Sequence, residues 1–184
     1  MEDQKDLEPG RVATARAVAL AQLLHQECTT LLELYKERES FLTHHVPEGD
    51  RLLIVDLCSD TPSSVQRVGH AHSALSRCLE MLNCLINHEV EELGEELEGE
   101  YETARKTVKD RIGHLLHSTG VLLENGEGSC SLLPEFQCIQ GLDEVEGSGS
   151  FATKLWTYRV LLELIHWSDS AANALHLLHS EQEL

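Results

Sequence analysis

The sequence predicts an all-α fold, an up-up-down-down long-chain four-helix bundle with two long crossover loops, as a single domain over residues 1–184. Three observations predict it. Leu dominates the apolar residues while Val and Ile are few, aromatics reach only 4% and Pro numbers four. That composition favours helices, because branched side chains lose rotamer freedom there. Four long segments repeat apolar residues every three or four positions. The connections between them run long, short, long.

The first helix is expected over about 12–42. Leu20, Leu24, Cys28, Leu31 and Tyr35 recur at spacings that keep them on one face. The second is expected over about 61–98, opening on Thr61-Pro62, a cap residue followed by the residue favoured at the first helical position. Its stripe is Val65, Val68, His72, Leu75, Leu79, Leu82, Ile86, Val90, Leu93 and Leu97, the cleanest period in the chain. The third, over about 100–124, carries Tyr101, Ala104, Val108, Ile112, Leu115, Thr119 and Leu122, and stops at Asn125-Gly126. The fourth is expected over about 150–180.

Thr43 to Asp60 is a gap of about 18 residues, Gly94 to Gly99 one of about 5, and Asn125 to Gly149 one of about 25. A helix of about 30 residues is about 45 Å long. About 18 extended residues reach about 60 Å, so both long gaps can return along a whole helix and leave the next one parallel to the last. The short gap cannot, which makes helices two and three antiparallel.

The chain has a net charge of −18. Phosphate binding needs a surplus of Lys and Arg, so nucleic acid is not expected as a partner. Anionic membrane surfaces are disfavoured for the same reason. No apolar run approaches the roughly 20 residues that cross a bilayer, so no membrane insertion is expected. The start, Met1-Glu2-Asp3-Gln4-Lys5-Asp6, has neither a basic nor an apolar leader region, and the expectation is cytoplasmic synthesis without a signal peptide. The acidic run Glu89 to Glu102 reads as a solvated helix end and turn.

Six cysteines stand at Cys28, Cys58, Cys78, Cys84, Cys130 and Cys138, with no C-x-x-C pair, so zinc ribbons and redox dithiols are disfavoured. Cytosolic synthesis predicts free thiols; in an oxidising space Cys130 and Cys138, which share one loop, are the first candidates to pair.

No catalytic, cofactor-binding or metal-ligating constellation stands out, and the chain reads as a recognition protein and not an enzyme. The strongest feature is the start of the fourth helix, Ser150-Phe151-Ala152-Thr153-Lys154-Leu155-Trp156, beside a Gly/Ser-rich loop. In helical projection Val160, Leu164, Trp167, Ala171 and Leu178 form the core face, while Arg159, Glu163, His166, Ser170 and Asn173 form the solvent stripe. Phe151 projects near the polar stripe, where a large ring is either capped by the preceding loop or exposed for a partner. Lys154 at a helix N-terminus is electrostatically misplaced, although a solvated surface lysine is the ordinary case.

Phe151-Ala-Thr-Lys154-Leu-Trp156, followed by Val160-Leu-Leu-Glu163-Leu and Trp167, resembles the last helix of the interleukin-6 group of long-chain four-helix cytokines. Ala15-Arg16-Ala17-Val18-Ala19-Leu20-Ala21 and Leu34-Tyr35 are similar to the first helix of that family, and Glu98-Gly99-Glu100-Tyr101 to the start of its third. The second helix matches by pattern alone. The resemblance implies a cytokine or neurotrophic growth factor that signals by assembling cell-surface receptor chains and needs no cofactor.

In the subset that includes leukaemia inhibitory factor, a phenylalanine and a lysine opening the last helix engage the leukaemia inhibitory factor receptor. Phe151 and Lys154 are the matching receptor-binding residues. The resemblance further implies a shared signal-transducing receptor chain on exposed faces of helices one and three. It implies, as a third surface, a non-signalling alpha receptor where the end of helix one, the first long loop and the end of helix four meet. Gln22, Leu23, His25 and Ser170 stand where related helices carry the basic residues of that third surface. The resemblance also implies action outside the cell after leaderless release.

Two other readings fit parts of the sequence. An intracellular helical-bundle scaffold or adaptor suits the acidity and free thiols but requires neither the loop pattern nor the Phe151–Lys154 pair. A metalloenzyme is suggested by eleven histidines and by Glu163-Leu-Ile-His166, which has the Glu-x-x-His form of di-iron bundles. Such a site needs a second copy, and none is present; His114 with His117, and His176 with His179, read as surface pairs.

Overall fold

The computed structural model describes residues 3–39, 61–94, 98–124 and 150–183. Four helices pack against one another: α1 (Asp3–Arg38), α2 (Ser64–Leu93), α3 (Glu100–Glu124) and α4 (Ser150–Gln182). No strand occurs among the described residues. α1 packs against α3 and α4, and α2 packs against the same two.

α3 and α4 begin and end close to the positions the periodicity predicts. α1 begins well before Val12 and continues through Pro9-Gly10; the Thr14 hydroxyl donates to the Gly10 carbonyl at 2.8 Å. α2 starts later than Thr61-Pro62. Its cap is Ser63, whose hydroxyl accepts from the Gln66 N–H while the Gln66 side chain accepts from the Ser63 N–H. This reciprocal box satisfies two donors at once, which the Thr61-Pro62 start cannot do. α2 also ends earlier, at Gly94 with φ 75°, a left-handed conformation that costs other residues a Cβ clash. The Gly94 N–H donates to Val90 O at 2.8 Å and closes the last turn.

All four helices feed one buried cluster. Its largest fully buried side chains are Leu24 and Leu31 from α1, Val68, Leu75 and Leu82 from α2, Val108, Ile112 and Leu115 from α3, and Leu161, Leu164 and Leu175 from α4. Burying each of these contributes about 1.5–3 kcal/mol. On α2 the buried face also takes Ala71, Cys78, Met81 and Leu85, so its centre lies to one side of the predicted stripe and Val90 is left exposed.

The expectation that every cysteine is a free thiol is corrected at Cys84, which is disulfide-bonded to a partner outside the described residues. Cys28 and Cys78 are buried thiols outside any disulfide. The proposed Cys130–Cys138 pair and the two long connections lie outside the described residues.

Candidate functional site

The C-terminal end of α1 and the first turn of α4 are joined by polar side chains. Tyr35, buried on α1, donates its hydroxyl to the Lys154 carbonyl at 3.0 Å. One turn on, the Glu39 carboxylate lies 3.1 Å from the Lys154 ammonium. Glu39 is the inner member of that pair and Lys154 the outer one, with side-chain exposures of 9% and 34%. The other Glu39 oxygen faces the Arg38 guanidinium at 3.8 Å.

α2 and α3 contribute the rest of this end. Arg38 donates to Glu102 at 2.8 Å and stacks over the Tyr101 ring at 5.2 Å. Arg105 covers the same ring at 5.4 Å and donates to Glu89 at 2.6 Å. The Tyr35 and Tyr101 rings lie 5.5 Å apart. Two guanidinium groups on one ring are tolerable because each has its own carboxylate and the ring face is electron-rich.

Burial pushes the Tyr101 phenol up to about 12 and the Tyr35 phenol up as well, so both are neutral at any ordinary pH. Burial works to lower the Arg105 pKa, and Glu89 and Tyr101 together, through bonds and charge, more than offset it. A cleft of about 240 Å³ opens among these groups, lined on its α4 side by Thr153, Lys154 and Thr157.

The structure therefore places Lys154 on a half-exposed rim, bonded to its own chain. Phe151 lies in the first turn of α4 by its backbone, and its side chain falls outside the described residues. The choice between a capped and an exposed ring falls there too. Sequence reasoning missed Glu39, Arg38 and Arg105. Arg105 is only 4% exposed, although it falls in a polar stretch. The one available signal was that Arg105 follows Tyr101 by four residues and so shares its face.

The predicted faces of α4 are corrected at Glu163. This residue is 3% exposed, in the core rather than on the solvent stripe, and it accepts from the Trp167 indole N–H at 3.0 Å. Ser168 is also buried, and Leu162 is exposed. The rest of the projected core face, Val160, Leu164, Trp167 and Ala171, is buried as expected. A buried indole N–H needs an acceptor, and Glu163 one turn back supplies it. His166 is exposed, with its ring edge-on to Trp167 at 5.0 Å. Among the described residues no group of three or more His, Cys, Asp or Glu side chains is arranged to hold a metal ion.

The residues at the implied alpha-receptor positions are Gln22 and Leu23, both exposed on α1, and His25, whose Nδ1 lies 3.3 Å from Ile165 O and 3.4 Å from the Ser168 hydroxyl of α4. Ser170 lines a separate groove of about 520 Å³ between α2 and α4, with Arg67, His70, Asn173 and His176.

No family model matches the chain, and no curated protein matches it significantly. The fold defines it as a four-helix bundle, with a polar cleft where helix ends meet.

Proposed function

We propose that this chain is a cytokine of the interleukin-6 group, most like ciliary neurotrophic factor, that signals by holding cell-surface receptor chains together. Its topology in this reading is up-up-down-down. Pairs between helices support that order. Glu27 and Arg38 of α1 meet Arg111 and Glu102 of α3. Tyr35 and His25 of α1 meet Lys154 and Ile165 of α4. Glu89 and His72 of α2 meet Arg105 and Thr119 of α3, and Ser64 of α2 meets Glu181 of α4. In the α1–α3, α1–α4 and α2–α3 contacts, each with two pairs, the numbers rise on one helix as they fall on the other. α1 and α2 then share one direction, α3 and α4 the opposite one, and the two long connections act as crossovers.

Such a protein performs no chemistry; its function is a set of patches on a rigid bundle. Phe151 serves as the aromatic anchor and Lys154 as the neighbouring charge for a leukaemia inhibitory factor receptor-like chain. The shared signal-transducing chain takes exposed faces of α1 and α3, on the second of which Val121 stands in solvent. A non-signalling alpha receptor is the third partner. The disulfide at Cys84 supports a working life in an oxidising space outside the cell.

The observation that carries the reading is the position of Lys154, half-exposed at the head of the terminal helix and one turn from Phe151. Truncating a central aromatic anchor costs about 2–4 kcal/mol of binding. A protein carrying both Phe151→Ala and Lys154→Ala is expected to keep its helicity yet fail to trigger phosphorylation of a latent transcription factor in receptor-bearing cells. Normal signalling by that double variant would overturn the assignment.

A further inference from the structure

Resting on the receptor-binding reading of Phe151, we infer that the receptor surface continues down the outward side of α4 through Leu155 and Leu162, and that Arg159 between them pairs with a carboxylate of the same leukaemia inhibitory factor receptor-like chain. α4 faces the core with Trp156, Val160, Leu164, Trp167 and Ala171. At about 100° per residue, Leu155 and Leu162 project to the opposite side, and Phe151 precedes them on the same register. Leu155 is half-buried and Leu162 is 42% exposed. Tyr158, which also packs partly against the core, flanks them. A helix that is apolar all round is one that something covers all round. Beyond Leu162 the outward side turns polar, with His166, Asp169 and Asn173 exposed. The apolar patch is thus confined to the end of α4 that carries Phe151.

Arg159 identifies what covers the patch. Residues 155–165 hold only two charged side chains, Arg159 and Glu163. A helical arginine ordinarily meets the glutamate four residues on. Here Glu163 is turned into the core, where it accepts from the Trp167 indole. Arg159 has no ion pair among the described residues, and its Nε is buried without an acceptor. By contrast Arg38, Arg105 and Arg111 each hold a carboxylate. The chain carries 32 acidic residues against 14 basic ones, so an unpaired guanidinium is the exception in it. The group that a guanidinium fork selects is a carboxylate, and leucines on either side would keep water from the pair. A second copy of this chain is disfavoured as the occupant, because two molecules of net charge −18 repel each other. The chemistry that fits is an apolar receptor contact with one acidic side chain at its edge.

The test uses the full chain and the immobilised ectodomain of the leukaemia inhibitory factor receptor. Affinity, thermal midpoint and sedimentation are measured for wild type, Phe151→Ala, Leu162→Ser, Arg159→Gln, Arg159→Glu and Asp169→Asn. Asp169 is exposed on the same outward side, further along α4. Leu162→Ser and Arg159→Gln are each expected to weaken binding about five- to tenfold, and Arg159→Glu, which sets like charges against each other, about a hundredfold. Asp169→Asn should stay within about twofold of wild type. The midpoint of Arg159→Gln should not fall, because the substitution removes a buried donor that has no acceptor. Normal binding by Leu162→Ser or by either Arg159 variant would overturn the extension, as would an equal effect of Asp169→Asn. So would a lowered midpoint with receptor binding intact, the sign that the chain itself covers the patch, or a wild-type dimer that Leu162→Ser dissolves. Failure of wild type to bind, or wild-type affinity in Phe151→Ala, would instead overturn the receptor reading on which the extension rests.

Discussion

At the scale of single residues, what the pattern of the chain shows and what it hides separate by chemistry. Leu24, Cys28, Leu31 and Tyr35 fall in the core as their spacing implies. Arg105, Glu39 and Glu163 are buried polar groups whose partners come from another helix or an indole ring, and no periodicity encodes a partner. Cys28 gives a direct test of the first kind. Burial pushes its thiol up to about 12, with the Ser168 hydroxyl opposing and the Glu27 charge adding to the effect. Alkylation requires the thiolate, so iodoacetamide at about pH 8 should leave Cys28 unmodified in the native protein and label it once denaturant unfolds the bundle. Peptide mass spectrometry distinguishes Cys28 from the other cysteines, and labelling without denaturant would contradict its burial.

His72 offers a second test at this scale. Its Nδ1 lies 2.6 Å from the Thr119 hydroxyl, which itself donates to Leu115 O. Burial lowers the His72 pKa below the ordinary 6.5. The unfolded chain then binds this proton more readily than the folded one, and stability rises with pH where that holds. The contribution is fully present above about 6.5 and is lost as the pH falls from there toward the folded value. Thermal midpoints measured from about pH 8 down to about pH 5.5 should drop more in wild type than in His72→Gln. Parallel curves would show that His72 is not the group responsible.

At the scale of elements, α2 shows how local chemistry fixes a boundary. Thr61-Pro62 has the form of a helix start, but Ser63 and Gln66 together satisfy two backbone donors and take the cap instead. Ser63→Ala should cost about 1 kcal/mol in chemical denaturation, with an unchanged dependence on denaturant. At the other end Gly94 stands at φ 75°, where a Cβ meets no neighbouring atom but strains its own backbone. Gly94→Ala should cost about 1 kcal/mol for that reason alone. A smaller loss at either position would mean that the end in question frays without its cap. The boundaries of α3 and α4 were legible because turn residues and periodic segments meet sharply there. The rotation of α4 was legible too, since Val160, Leu164, Trp167 and Ala171 are buried as the projection implies, and Glu163 alone leaves the polar stripe to meet an indole N–H.

At the scale of the whole molecule, the helix count and a shared core follow from leucine spacing, whereas the covalent tie at Cys84 could not be read from spacing. Cys84 is 4% exposed on α2, and its bonded partner lies outside the described residues. A disulfide restricts the unfolded chain and typically adds about 2–4 kcal/mol, so its loss should weaken the bundle without dismantling it. Cys84 is one member of a core built mostly of Leu, Ile, Val, Ala and Trp side chains from all four helices. Addition of a phosphine reductant should therefore lower the thermal midpoint of wild type by several degrees while the helical circular dichroism at room temperature stays the same. Cys84→Ala should begin from a lower midpoint and respond less to the reductant. A wild-type midpoint indifferent to reductant would mean that the native protein carries a free thiol at Cys84. The support this bond lends to action in an oxidising space would then disappear, leaving the receptor reading to stand on Phe151 and Lys154 alone.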